Sequence, residues 1–401
     1  MNGIIKNKKP FLLIGLIIFL FSCEKTELNE VEELIGEILP EKELYKESYL
    51  NQSSGISFTW SDTDRNAEYI TNMIHSDIVG WYGNGQSYHD VNNDGYEDIL
   101  VNPHKDERNT WFEWYINQGD NKTYLADKSY ITESTQGFSS HKFIKTDVNN
   151  DGNADFIAFG VDERIPGDYT GNFTVLINNN NKFIVKNIPN PNKFWFHNGS
   201  AGDLNGDGFV DVVAGQYIWY GDGTGNFTNS NIDLNIYTKA ILTYEIIDFN
   251  KDGYNDIILG SHTEHGVTTI IINDKGKFTE NNKTLKLEKT GYDMIMDIEI
   301  KDIDKDGNLD ILEMRQNSEN ISFIFLFKYK NETFELDTKY FENSTDGNYI
   351  NGERDKYGWS VFKFDDIDGD GKEEIITENY QDGTYNGMKF VNGIWEPAIL
   401  Y

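Results

Sequence analysis

The chain has 401 residues, a formal net charge of −32 and one cysteine. A single cysteine excludes an intrachain disulfide. The acidic balance, with no basic stripe anywhere along the chain, argues against nucleic-acid binding and favours a soluble, self-repelling surface.

The N-terminus carries Lys6, Lys8 and Lys9, then an apolar run from Phe11 to Phe21, then Ser22 and Cys23. A basic region, a short apolar stretch and a small residue before the cut predict a secretory signal over residues 1–22. The run is too short for a membrane span. Leu20-Phe21-Ser22-Cys23 resembles a bacterial lipobox, which implies that Cys23 becomes the lipidated first residue and ties the chain to a membrane. The acidic residues that follow, Glu24-Lys25-Thr26-Glu27, resemble the surface-export tag of Bacteroidetes lipoproteins. That resemblance implies the cell envelope, at the outer membrane and exposed on its surface. Removing residues 1–22 takes three lysines with it and leaves a charge of −35. Residues 23–52 are charged, with one short amphipathic stretch from Val31 to Leu39, and read as an acidic tether. Residues 53–84 read as closing strands or a cap.

From residue 85 onward one acidic loop recurs six times. The first two copies are Asp90-Val-Asn92-Asn-Asp94-Gly95-Tyr96-Glu-Asp98 and Asp147-Val-Asn149-Asn-Asp151-Gly152-Asn153-Ala-Asp155. The next two are Asp203-Leu-Asn205-Gly-Asp207-Gly208-Phe209-Val-Asp211 and Asp248-Phe-Asn250-Lys-Asp252-Gly253-Tyr254-Asn-Asp256. The last two are Asp302-Ile-Asp304-Lys-Asp306-Gly307-Asn308-Leu-Asp310 and Asp366-Ile-Asp368-Gly-Asp370-Gly371-Lys372-Glu-Glu374. Oxygen side chains fall at positions 1, 3, 5 and 9, and glycine always at 6.

Calcium takes about six to eight oxygen ligands in a flexible shell. Positions 1, 3 and 5 aim side-chain oxygens inward, and position 7 offers its carbonyl. Glycine at 6 permits the sharp turn because it tolerates positive φ. The acid at position 9 closes the shell. Ordinary Asx turns explain one such cluster, but not six in one frame. The spacing therefore predicts about six calcium ions, preferred over magnesium, which demands near-octahedral geometry. An EF-hand is excluded, since its last acid belongs at position 12 between helices. Here β-prone runs follow each loop, such as Ile99-Leu100-Val101 and Ile257-Ile258-Leu259, and they read as strands.

The loops start 57, 56, 45, 54 and 64 residues apart. Each unit also holds a second pair of strands around a Gly-Asn-rich turn, as in Ile218-Trp219-Tyr220-Gly-Asp-Gly-Thr-Gly-Asn-Phe227. A unit then reads strand A, acidic loop, strand B, connection, strand C, hairpin, strand D. That length and content predict an all-β propeller of six blades, each a four-stranded antiparallel sheet. A seventh, degenerate blade over residues 53–84 stays open.

The Asp-x-[Asp/Asn]-x-Asp-Gly-x-x-Asp loops and the Gly-Asp-Gly-Thr-Gly-Asn segment resemble the integrin-type β-propeller family of FG-GAP or VCBS repeats, over residues 85–401. The resemblance implies a ligand-binding scaffold, in a family that also includes polysaccharide lyases. It departs at Glu374, which stands where the family has Asp.

In such a propeller the D–A and B–C connections lie on the face opposite the acidic loops. They carry Trp195, Trp359, Arg108 and Arg164, the Glu313-Met-Arg315 segment and the His262-Thr-Glu264-His265 segment. Strand A opens on His141 and His197 in adjacent units, with Leu242 and Met296 at the equivalent positions further on. Aromatics with Arg and His suit a glycan or a protein ligand. The alternative is a polysaccharide lyase or hydrolase with a His base and an Arg that neutralises a uronate. No nucleophile elbow, phosphate loop or HExxH motif is present, and no catalytic residue is assigned.

Overall fold

The computed structural model describes residues 86–102, 112–119, 124–132, 142–160, 171–189, 198–263, 266–291, 294–316, 322–337, 362–365, 374–378, 385–391 and 394–399. All lie in the compact unit Tyr49–Tyr401. The signal, Cys23, the tether and residues 53–84 fall outside the described residues.

The fold is all-β, of propeller type. The first sheet is β1 (Gln86–His89), β2 (Asp98–Val101), β3 (Glu113–Asn117) and β4 (Tyr124–Asp127). The second holds β5 (Ile131–Thr132), β6 (Lys142–Thr146), β7 (Asp155–Phe159), β8 (Gly171–Asn178) and β9 (Phe183–Pro189). The third is β10 (Gly199–Gly202), β11 (Asp211–Ala214), β12 (Tyr217–Gly221) and β13 (Phe227–Asp233). The fourth is β14 (Ile241–Ile247), β15 (Asp256–Ser261), β16 (Thr269–Ile271) and β17 (Thr284–Lys286). The fifth is β18 (Met294–Lys301), β19 (Asp310–Gln316), β20 (Ser322–Lys330) and β21 (Thr333–Leu336). The sixth is β22 (Phe362–Asp365), β23 (Glu374–Glu378), β24 (Tyr385–Val391) and β25 (Ile394–Ile399).

In each sheet four consecutive strands form an antiparallel meander, and the acidic loop joins the first strand to the second. The second sheet departs from the expected four. After β4 the chain turns at Ser129, whose N–H donates to Asp127 Oδ1 at 2.7 Å. It then lays β5 parallel to β9. Ile131 is buried among the first and second sheets, and that burial fixes the extra strand. Pro397 is tolerated in β25 because that strand forms the sheet's edge.

The core lies between sheets. Phe156 and Ala158 of β7 face the first sheet's Leu100 and Trp114, whereas Ile157 and Phe159 face the third sheet's Val212 and Ala214. Strands buried on both faces read as unbroken apolar runs, and β7 and β11 are buried throughout. The same sandwiching recurs between the third and fourth sheets and between the fourth and fifth.

First strands of successive sheets lie beside one another: β1 by β6, β6 by β10, β10 by β14, and β14 by β18. β10 is made only of small residues, Gly-Ser-Ala-Gly. A Cβ on Gly199 would meet the Phe159 ring at 2.3 Å, so no larger residue fits. Across this low strand, buried Lys142 of β6 reaches Glu245 Oε1 of β14 at 2.9 Å. Burial raises the Glu245 pKa, and Lys142 and Ser200 pull against that rise.

Candidate metal centres

Five of the six acidic loops are described, and they share one construction. The position 6 glycines Gly95, Gly152, Gly208, Gly253 and Gly307 all have φ between 85° and 93°, as the spacing requires. In the first loop both oxygens of Asp90 take backbone N–H groups, from Asp94 at 3.0 Å and Gly95 at 2.8 Å. Asn92 Oδ1 accepts from Asp94 N–H at 2.9 Å, and Asp94 Oδ1 accepts from Tyr96 N–H at 2.9 Å. The second and fourth loops repeat these bonds through Asp147, Asn149 and Asp151 and through Asp248, Asn250 and Asp252. In the third, Gly206 N–H replaces position 5 as donor to Asp203 Oδ1, at 2.7 Å, while Asn205 and Asp207 keep their roles. The side-chain oxygens at positions 1, 3 and 5 are thereby drawn over one turn.

The position 9 acid does something different. Asp98, Asp155, Asp211, Asp256 and Asp310 are fully buried and open the second strand of their sheets. One oxygen of each takes the N–H of position 2, from Val91, Val148, Leu204, Phe249 and Ile303. The other takes an N–H from the third strand or within two residues of its end, at Asn117, Asn178, Gly221, Asn273 and Tyr329. This carboxylate staples loop to sheet, and Asp256 Oδ2 takes a further N–H, from Asn250 at 3.3 Å. Burial pushes Asp155 and Asp211 up to about 7 and Asp256 up to about 6, and raises Asp98 and Asp310. A carboxylate so disfavoured as an anion is one that a nearby cation would stabilise.

The fifth loop tests the fit to a cation. Oxygens of Asp302, Asp304 and Asp310 lie within 4.8 Å of one another. Asp302 Oδ1 is buried and accepts no hydrogen bond. A buried carboxylate oxygen without a donor carries its full desolvation cost. A hard cation among these oxygens removes that cost, so the residues fit calcium.

Features that the spacing did not disclose tie the loops to one another. Position 4 adopts left-handed φ at Asn93, Asn150, Gly206, Lys251 and Lys305. From there Asn150 Nδ2 donates to the Gly208 carbonyl of the next loop at 3.1 Å, and Lys251 Nζ donates to the Gly307 carbonyl. Asn255 and Asn273 of the fourth sheet donate back to the Asp203 and Leu204 carbonyls, each at 2.8 Å. At position 7, Tyr96 covers Gly119, Phe209 covers Gly223 and Tyr254 covers Gly206. The available signal was the run of Asn, Gly and Lys at position 4, residue types that include the two most tolerant of left-handed φ.

The remaining sequence candidates divide clearly. Asp366, Asp368, Asp370 and Lys372 of the sixth loop lie outside the described residues, and Glu374 opens β23. His141, His197, Trp195, Arg108, Arg164 and Trp359 also lie outside them. Leu242 and Met296 are buried where the pairing of β14 with β15 and of β18 with β19 shifts register. Glu313 and Arg315 belong to β19, not to a connection, and are fully buried. They pair with each other, and Arg315 Nη1 donates to the Glu288 carbonyl at 2.8 Å. The Arg315 guanidinium also lies over the Phe327 ring. They form a structural ion pair and not part of a ligand surface.

The FG-GAP-like repeat family matches residues 90–158, 147–214 and 248–313. Each match opens on position 1 of an acidic loop. No curated protein matches the chain in sequence. Among solved structures, the chain is similar to an Agrocybe aegerita lectin described as recognising non-reducing terminal N-acetylglucosamine. The identity is 16%, over 79% of this chain and 80% of the lectin, with a TM-score of 0.48. It is also similar to a post-proline cleaving enzyme from Rickettsia typhi, at 13% identity over 79% of this chain and 45% of that one, with a TM-score of 0.40. Likeness at that level names no ligand.

Proposed function

We propose that this chain, a member of the FG-GAP-like repeat proteins, is a calcium-stabilised binding module that presents a propeller face to a glycan or protein at the cell surface. The observation that carries this reading is the shared construction of five loops, in which every position 9 carboxylate is spent on holding backbone. Residues so committed support a scaffold and do not turn over a substrate.

Positions 1, 3, 5 and 9, with the carbonyl of position 7, would hold the ion. These are Asp90, Asn92, Asp94, Asp98 and Tyr96 in the first loop, with their counterparts in the others. Calcium there supplies positive charge that fixes the turn. A lipid on Cys23 would carry the module on the membrane, with residues 23–52 as spacer. The sequence candidates for ligand contact are Trp195, Trp359, Arg108 and Arg164, which lie outside the described residues.

The test is binding of the soluble chain to a panel of uronate-containing and neutral polysaccharides, with and without calcium. The expected result is retention that chelation abolishes, with no rise in unsaturated-product absorbance. Steady production of that absorbance would replace the binding reading with the lyase reading.

A further inference from the structure

The fifth loop departs from the first four in a way that bears on its affinity for the ion. In the first four, position 3 is Asn, and its Nδ2 donates to the position 5 carboxylate at 2.9–3.0 Å. In the fifth, position 3 is Asp304, which has no such donor, so positions 1, 3, 5 and 9 are all carboxylates. Two lysines from β20 stand in the amide's place. Lys328 Nζ and Lys330 Nζ each lie 3.3 Å from Asp304 Oδ2, Lys330 Nζ lies 3.9 Å from Asp306 Oδ2, and Lys328 Nζ also bridges to Asp337 Oδ2 at 2.8 Å.

The lysines flank Tyr329, whose N–H holds Asp310. The residues that flank the equivalent donor in the first four sheets include no lysine: Ile116 and Gln118, Ile177 and Asn179, Tyr220 and Asp222, Ile272 and Asp274. The sixth loop also has Asp, Asp368, at position 3. By register Ile311 pairs with Phe327 and Ile375 with Met388, so Lys389 has the register position of Lys328. Lysine at that position therefore accompanies Asp at position 3, and neither occurs in the first four sheets.

We propose that Lys328 and Lys330 are a built-in counter-cation that competes with calcium for Asp304. The fifth loop then stays closed when the ion is gone, and binds it less tightly than four carboxylates would. This rests on the calcium reading of the loops. An ammonium group on Asp304 stabilises the ion-free loop by opposing repulsion among the four carboxylates. Whatever favours the ion-free state weakens ion binding by the same factor.

Peptide-resolved hydrogen exchange on the full chain across a calcium titration tests this. In the wild type, the first four loops lose protection without calcium while residues 302–310 keep theirs. In K328M/K330M, residues 302–310 lose protection without calcium, and the calcium concentration that restores it falls on the order of tenfold below the wild-type value. Adding D304N, which installs the Asn of the first four loops, reverses the gain in calcium affinity and leaves ion-free exchange at residues 302–310 no faster than in the first four loops. Should K328M/K330M not fold, D304N alone serves, and must bring ion-free exchange at residues 302–310 up to that of the first four loops. A variant whose fifth loop behaves as the wild type, while the first four respond to calcium, overturns the counter-cation and leaves the calcium reading standing. Loops that never respond to calcium overturn both.

Discussion

Stripping divalent cations from the purified chain lowers its melting midpoint by about 10 °C or more. An ion that binds only the folded state at ten to a hundred times its Kd contributes about 1.4–2.7 kcal/mol per site. Six independent sites would contribute about 8–16 kcal/mol, against about 5–15 kcal/mol for a whole ordinary domain. The loops also lean on one another through Asn150, Asn255, Asn273 and Lys251, so losing one ion loosens its neighbours.

Protons modulate the effect with a definite sign. Burial pushes Asp155 and Asp211 up to about 7 and Asp256 up to about 6, above the ordinary carboxylate range. The fold therefore binds these protons more readily than the unfolded chain. Their stabilising contribution is full below the unfolded value and is lost as pH rises through the folded values. Calcium needs the same groups ionised. The gap between calcium-loaded and stripped midpoints should widen from about pH 5 to about pH 8. Scanning calorimetry on dialysed protein at both pH values measures it, and superimposed melts would refute the role of the ion in stability.

Asp155→Ala should be the most damaging single substitution in a loop, at about 3–5 kcal/mol with or without calcium. Its two oxygens take the N–H of Val148 at 2.9 Å and of Asn178 at 2.7 Å, and truncation leaves both donors stranded in a fully buried site. Asp147→Ala should behave otherwise. Asp147 accepts from Asp151 and Gly152, whose N–H groups face water in an exposed turn. Water replaces the lost acceptor, so the ion-free fold changes by about 1 kcal/mol or less, while the stabilisation from calcium at that loop disappears. Urea melts of both variants, each with calcium and after stripping, separate the two roles. Equal losses for the two substitutions in stripped protein would contradict the assignment of position 9 to the backbone.

The sheets were legible because the loops punctuate them. A glycine held to positive φ and a carboxylate at fixed spacing leave little choice about where β2, β7, β11, β15 and β19 begin. The order A to D within a sheet followed from the hairpin residues. The fifth strand of the second sheet was not legible, because two residues carry no periodicity and Ile131 is placed by burial against a distant sheet. The double use of Asp98 and its counterparts was hidden for a related reason. The second donor comes from the third strand, some 10 to 23 residues away, and only pairing brings it near. Glu313 and Arg315 misled as surface charges because a buried ion pair and an exposed one share one spelling.

The most direct test of the account is anomalous diffraction from crystals grown in calcium. A peak among the oxygens of positions 1, 3 and 5 in each of the first four loops, with a weaker one beside Asp302, is the predicted result. Loops that hold only water at saturating calcium, with the same hydrogen bonds intact, would contradict it.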